Sequence, residues 1–189
     1  LAGLGGVVLF LVIAGSNLLQ HQYPTSNLIA EIATPADFQR AEGSLDWHFP
    51  KDFGPHPDYQ TEWWYYTGNL ESDQGERFGY QLTFFIRALL PEMQKVARES
   101  AWATEQIYMG HFALSDISAG KHHAFERFSR GAAGLAGAQS EPYRVWLENW
   151  QIKQLEDGRF RLTANQEDIA LDLILVDTKG PILHGDQGY

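Results

Sequence analysis

The chain has 189 residues, 44% of them hydrophobic and 13% aromatic, which suffices for one domain with a sizeable core. Its 14 basic and 24 acidic side chains give a net charge of −10, which argues against nucleic acids and anionic lipid surfaces as partners. The absence of cysteine excludes disulfides, thiol catalysis and zinc–thiolate sites.

The first sixteen residues carry no charge, and residues 1–14 form an apolar run. This run is shorter than the roughly 20 residues of a membrane-spanning helix and is typical of the core of a secretory signal. Because the chain starts with Leu1 and has no charged leader, we expect residues 1–16 to be a signal peptide or membrane anchor truncated at its start. A short buried helix is the alternative. Residues 17–45 are predicted to be a linker, and the protein is predicted to be periplasmic or secreted, with membrane association where the segment serves as an anchor.

Two adjoining segments differ sharply in composition. Residues 50–57 hold three prolines and one glycine, which predicts an ordered, extended lead-in that is neither a helix nor a central strand. Residues 62–70 contain four consecutive aromatic side chains, which predicts a strand. Because its rings fall on both faces, one face is expected in a core and the other in a pocket or a second layer.

The rest of the chain is predicted to be almost wholly β. Alternating or apolar patterns predict strands at residues 78–87, 107–117, 122–128, 143–155, 160–164 and 169–176. Residues 91–98 indicate a short helix, and the Ala/Gly-rich residues 130–142 a long loop or lid. About seven strands joined by hairpins predict an all-β, up-and-down antiparallel sheet of the calycin type, curled into a barrel or packed as a sandwich. An eight-stranded barrel would hold one small ligand.

Glu62 is the leading candidate for chemistry, because a carboxylate beside Trp63, Trp64 and Tyr65 has the residue types of a general acid in an apolar pocket. The alternative is a hydrogen-bonded glutamate at a strand end. His184 and Asp186 form a second acid–base candidate, or simply a turn around a glycine.

Three further residues are candidate ligand contacts. Tyr108 and His111 lie an odd number of positions apart on one predicted strand and therefore point to opposite faces, and His111 is alternatively a core histidine. His56 is interpreted as a hydrogen-bonding loop residue. No metal site and no cofactor are predicted, because no second cluster has metal-ligand spacing.

Four segments together resemble the AttH/CrtC family, the lipocalin-like proteins that include carotenoid 1,2-hydratase and predicted secreted hydrolases. The segments are FGPHPDYQTEWWY (53–65), SAWATEQIYMGHFALSD (100–116), ERFSRGAAGLAG (126–137) and KGPILHGDQGY (179–189). The resemblance implies that residues 46–189 are the N-terminal lipocalin-like domain of a two-domain protein whose second domain is missing from this chain.

The resemblance further implies cofactor-free hydration or hydrolysis of an apolar isoprenoid or lipid-like substrate. The residues expected to carry the chemistry are Glu62, Asp186, His184 and Tyr65, and those expected to contact the ligand are Trp63, Trp64, Tyr108, His111 and His56. A carrier of lipophilic ligands without catalysis is the main alternative, and an accessory domain at the membrane is the third.

Overall fold

The computed structural model describes residues 38–43, 45–92 and 99–185. A first antiparallel sheet has the order β1-β2-β3-β4 and a second has the order β5-β6-β7-β8-β9, so each strand pairs with its neighbours in sequence. The strands of the first sheet are β1 Thr61–Glu71, β2 Arg77–Ala88, β3 Gln106–Asp116 and β4 Lys121–Arg130. Those of the second are β5 Ala136–Ser140, β6 Tyr143–Leu147, β7 Trp150–Gln154, β8 Phe160–Gln166 and β9 Ile169–Leu175.

The core lies between the inner faces of the two sheets. The inner-face residues of β2 and β3 are mostly buried, and Phe84 and Phe112 are wholly inaccessible to solvent. They share one hydrophobic cluster with Val145, Leu147 and Trp150 of the second sheet. The rings of Phe112 and Trp150 meet edge to face at 5.8 Å, a favoured aromatic geometry.

The predicted all-β, up-and-down antiparallel fold is confirmed, as two curled sheets rather than a closed barrel. Within the described residues, β4 and β5 are not hydrogen-bonded neighbours, and neither are β1 and β9. The alternation that predicted the strands follows from one face of each sheet being buried and the other being exposed.

The prediction of a long loop or lid over residues 130–142 is wrong, because β5 occupies Ala136–Ser140. The small residues of this strand make room for a neighbouring ring. Gly137 pairs with Trp146, and a Cβ atom at Gly137 would lie 2.4 Å from the indole. Composition alone therefore indicated a loop where packing requires glycine in a strand.

The predicted single strand over residues 143–155 is also wrong. Leu147 pairs with Trp150, so the chain reverses through Glu148 and Asn149 and forms the two strands β6 and β7. Glu148 has a φ of 55°, the left-handed conformation that such tight hairpin turns require. A glutamate is an uncommon residue there, which is why the pattern gave no turn signal.

The segment 50–57 was predicted to contain no helix, and this too is corrected. A single 3₁₀ turn occupies Lys51–Phe53, where no proline interrupts the chain. Pro50 provides the residue before the turn, and Gly54 donates its N–H to the carbonyl of Lys51. The turn brings Asp52 onto the same side of the segment as His56, four residues later.

Arg127 links β4 of the first sheet to the end of β8 and to the turn between β6 and β7 of the second. Its guanidinium donates to Oε1 of Gln166 at 2.6 Å and to the carbonyl of Asn165 at 2.9 Å. The same group lies 4.3 Å from the centre of the Trp150 ring and also contacts Glu148 and Asn149. Because these protein groups engage the guanidinium, the residue acts as a structural clamp rather than a free carboxylate receptor.

Several predictions fall outside the described residues: the signal or anchor at residues 1–16, most of the linker 17–45 and of the helix 91–98, and Asp186. In the part of the chain that the structure describes, no helix has the length and apolar character needed to cross a membrane.

Candidate functional site

A histidine held between two carboxylates is the densest polar cluster near the start of β1. Nδ1 of His56 lies 2.5 Å from Oε1 of Glu62, and the backbone N–H of His56 donates to Oε2 of the same carboxylate at 2.9 Å. On its other side, Nε2 lies 3.6 Å from Oδ1 of Asp52. The side chains of His56, Glu62 and Asp52 are 28%, 19% and 15% exposed, so the cluster is shielded but open to a ligand.

The cluster favours a charged imidazole. The hydrogen bond to Glu62 is the main cause that raises the pKa of His56; burial opposes it, and the charges of both carboxylates add to it. The pKa of Asp52 is lowered, chiefly because its carboxylate accepts the backbone N–H of His48 at 2.5 Å. His56 therefore stays protonated to a higher pH than an ordinary histidine.

Aromatic side chains surround this imidazole. The Trp47 ring meets His56 edge to face with centres 6.2 Å apart, and Tyr59 does so at 6.5 Å. A pocket of about 280 Å³ lies against the cluster and is lined by Ala41, Leu45, Trp47, His56, Tyr59, Thr61, Glu62 and Trp63. A volume of this size admits part of a drug-sized ligand.

The aromatic residues after Glu62 do not gather in one pocket, because side chains alternate along β1. Trp64 points into the core, is 8% exposed, and donates its indole N–H to the carbonyl of Phe53 at 2.9 Å. Trp63 and Tyr65 lie on the outer face and are 61% and 54% exposed. Trp63 reaches the edge of the pocket beside Glu62, whereas Tyr65 does not line it.

The other candidates lie apart from the cluster. Tyr108 is buried between the sheets and donates its hydroxyl hydrogen to Oε1 of Gln106. Burial raises its pKa, and the negative charge of Glu62 adds to the effect. His111 lies on the outer face, 3.1 Å from the carboxylate of Glu126, which confirms that it and Tyr108 point to opposite sides. His184 is exposed.

Sequence reasoning missed two parts of the site. Asp52 was read as part of a proline-rich lead-in, although its spacing of four residues from His56 was a usable signal once a helical turn is allowed there. Trp47 and Tyr59 contact the histidine only because the chain folds back on itself, with Gln39 bridging to Tyr59. No local pattern predicts that fold-back.

The described side chains of the site are an imidazole, two carboxylates and aromatic rings. In the described segments no group of three histidine or acidic side chains is arranged to hold a metal ion. What the arrangement offers is a proton on an imidazole, two carboxylates that hold it, and an adjoining aromatic pocket.

The chain resembles known proteins both in sequence and in structure. A crystal structure of an AttH candidate from Nitrosomonas europaea is 34% identical in sequence, with a TM-score of 0.63. The match covers 80% of this chain but 43% of that one, so the chain spans less than half the length of its structural relative. None of the curated proteins matches the sequence. The AttH-like family model matches residues 40–189, which include the site and both sheets, and the chain therefore belongs to the AttH-like family.

Proposed function

We propose that the protein uses the His56 cluster for cofactor-free acid–base catalysis and hydrolyses an ester-like bond in an apolar, lipid-like substrate. The observation that supports this proposal is the imidazole held between Glu62 and Asp52 in the wall of an aromatic pocket. Perturbed histidines in clefts are typical of acid–base sites. The uncharged first sixteen residues support export, and hence a substrate met outside the cytoplasm.

The lining of the pocket supports the choice of an apolar substrate. Leu45, Trp47 and Trp63 provide apolar and aromatic surface, while His56 and Glu62 supply the polar groups at one side. An apolar chain would bury against the rings, which places its polar bond beside the imidazole. The net charge of −10 weighs against a strongly anionic head group on that substrate.

Hydrolysis suits this histidine better than hydration of an isolated double bond. Protonating carbon requires a strong acid, and a histidine with a raised pKa is a weaker acid than usual. The same imidazolium is well suited to polarise the carbonyl oxygen that water attacks and to protonate the departing oxygen as the acyl–oxygen bond breaks. The neutral imidazole then takes up the proton that the attacking water loses, which restores the imidazolium. One carboxylate oxygen of Glu62 contacts the ring Nδ1 and the other accepts the backbone N–H of His56, so its first role is to orient and charge His56.

The proposal is tested with the complete gene product and ethyl esters of fatty acids of increasing acyl length, because an alkoxide leaving group needs the proton that His56 would supply. Longer chains should give higher kcat/KM, and the rate should fall as pH rises and His56 loses its proton. His56→Gln and Glu62→Gln should each reduce kcat/KM by about 100-fold or more, the usual contribution of one acid–base group. Asp172→Asn is the control, because that carboxylate is exposed and pairs with Arg161 on the second sheet. Equal rates in all three variants would disprove the proposal.

Binding and transport of a lipophilic molecule is the second candidate, and the largely apolar lining of the pocket favours it. Incubation with a lipid extract of the host membrane in oxygen-18 water separates the two. A labelled product that disappears in His56→Gln supports hydrolysis. An unlabelled lipid that remains bound both to the unmodified protein and to His56→Gln supports a carrier.

A further inference from the structure

The outer face of the first sheet carries a second possible binding surface, on the side away from the core. Two adjoining depressions of about 500 and 360 Å³ share Gln81, Ala113 and His122 in their walls. Together they form one shallow trough across the sheet, here called the outer groove, lined among others by Asn69, Gly79, Gln81, Ala113, Ser115 and His122. It does not share a single lining residue with the pocket beside His56.

Small residues make the floor of the outer groove. Gly79 pairs with Ser115, and Ala113 pairs with Ala124, so each of two adjacent cross-strand rows contains a neighbouring pair of small residues. The rows run from β1 to β4, which is three strand spacings or about 14 Å. A ligand that fills this length is longer than a single monosaccharide.

Amides, hydroxyls and imidazoles make most of the walls, beside the carboxylate of Glu126. Ser115 Oγ lies 2.8 Å from Nδ1 of His122, and Gln81 donates to the hydroxyl of Thr83 at 3.3 Å. Asn69 adds an amide from β1. Amides, hydroxyls and imidazoles both donate and accept hydrogen bonds, which suits a ligand rich in hydroxyl groups.

An exposed aromatic ring stands beside this polar trough. Tyr65 is 54% exposed and occupies the next cross-strand row, which continues through Thr83 to His111. Thr83 is only 2% exposed even though it lies on this outer face, so neighbouring side chains close over it and form a firm base. A tyrosine ring that is exposed next to polar groups offers a flat apolar surface for one face of a sugar.

We propose that the outer groove binds a neutral oligosaccharide, with Tyr65 as the stacking ring and Asn69, Gln81 and His122 as hydroxyl-binding groups. Anionic ligands are disfavoured by the net charge of −10 and by Glu126 at the side of the trough. A peptide that binds by strand addition needs a free strand edge, whereas the floor consists of the paired strands β2 and β3. A sugar chain would lie on the small floor residues, form hydrogen bonds with the polar side groups and stack on the tyrosine ring.

The test uses cellohexaose, chitohexaose and maltohexaose as probes and the complete gene product, with binding measured by titration calorimetry. At least one hexasaccharide should bind saturably, and Tyr65→Ala should weaken that binding by about three- to tenfold. Trp102→Ala is the matched control, because Trp102 is 60% exposed and lies outside the groove. It should leave affinity unchanged.

A second variant fills the groove without straining the backbone. A Cβ at Gly79 would meet its nearest atom, Cβ of Ser115, at 3.8 Å, so Gly79→Val should fold and block the floor. Its binding should fall at least as much as that of Tyr65→Ala. The proposal is overturned when none of the three sugars binds with a Kd below about 10 mM, or when both variants bind as tightly as the unmodified protein.

Discussion

Both carboxylate oxygens of Glu62 are engaged by His56, one by the ring Nδ1 at 2.5 Å and the other by the backbone N–H at 2.9 Å. This double contact fixes the proline-rich segment before β1 to the first residues of that strand. It also ties a protonation equilibrium to the local fold, because the contact is strongest when the imidazole is charged.

The stability of the protein should therefore depend on pH through His56. Its pKa in the folded state is raised above the ordinary value of 6.5, so its contribution is complete below pH 6.5 and is lost as pH rises through the higher folded-state pKa. The free energy of unfolding of the unmodified protein should exceed that of His56→Gln most at about pH 6, and the difference should shrink toward about pH 9.

Urea unfolding at several pH values measures this difference. His184→Gln is the matched control, because His184 is exposed and its substitution should change the free energy of unfolding little. A His56→Gln difference that grows with pH would contradict the assigned direction of the pKa change.

Arg127 should contribute more to stability than an exposed arginine. Arg127→Met removes its bonds to Gln166 and Asn165 and its contact with the Trp150 ring, while keeping much of the side-chain volume. We expect the free energy of unfolding to fall by about 2–3 kcal/mol, since charged hydrogen bonds and a shielded cation–ring contact are lost together. Chemical denaturation measures the loss.

Arg161→Met serves as the comparison for Arg127. Arg161 pairs with Asp172 at 2.5 Å, but both side chains are about half exposed, so solvent screens the pair. Its removal should change stability little. Equal losses in the two variants would show that Arg127 does not clamp the sheets.

The absence of a side chain at Gly110 should be essential for packing between the sheets. A Cβ there would lie 3.1 Å from Cε3 of Trp150 and 3.5 Å from a methyl group of Leu147, both of them fully buried. Gly110→Val should lower the free energy of unfolding by about 1–3 kcal/mol through overpacking. Thermal unfolding compares it with Gly79→Ala, where space is open and little change is expected.

The sequence sufficed for the strands whose two faces differ. In β2 the alternation of apolar and more polar residues, and in β3 a segment rich in apolar residues, predicted both strands to within one residue at either end. The sequence pattern failed to predict β5, where Gly137 faces Trp146. A strand whose residues must be small for packing has the amino-acid composition of a loop. The pattern also failed at Glu148, whose left-handed conformation has no residue signature.

The site was harder to predict than the fold, because it depends on contacts between segments. Glu62 was singled out for its aromatic neighbours in sequence, yet its structural partner is His56, and those neighbours alternate between core and solvent. Asp52 joins the cluster through a single 3₁₀ turn that prolines were expected to prevent. Alternation along β1 did predict that Trp63 and Trp64 lie on opposite faces of the sheet, because the face on which a side chain lies is determined by local strand geometry.

Four of the eight tyrosines should resist ionisation in the folded protein. Burial raises the pKa of Tyr66, Tyr80, Tyr108 and Tyr143 above the ordinary value of 10. Their contribution to stability is therefore present below pH 10 and is lost as pH rises through the folded-state pKa values. Tyrosinate absorbance during an alkaline titration should show a late step that coincides with loss of the far-ultraviolet circular dichroism of the sheets.

Tyr143→Phe tests which residues form that late step. The hydroxyl groups of Tyr66 and Tyr143 lie 3.1 Å apart, so the substitution removes one late-titrating group and leaves the other without this partner. We expect a smaller late step and a loss of about 1 kcal/mol in the free energy of unfolding. Tyr143 is 1% exposed, so hydroxide should not reach the buried rings between the sheets while the protein is folded. Ionisation of all tyrosines in one step, with the circular dichroism still native, would contradict this packing.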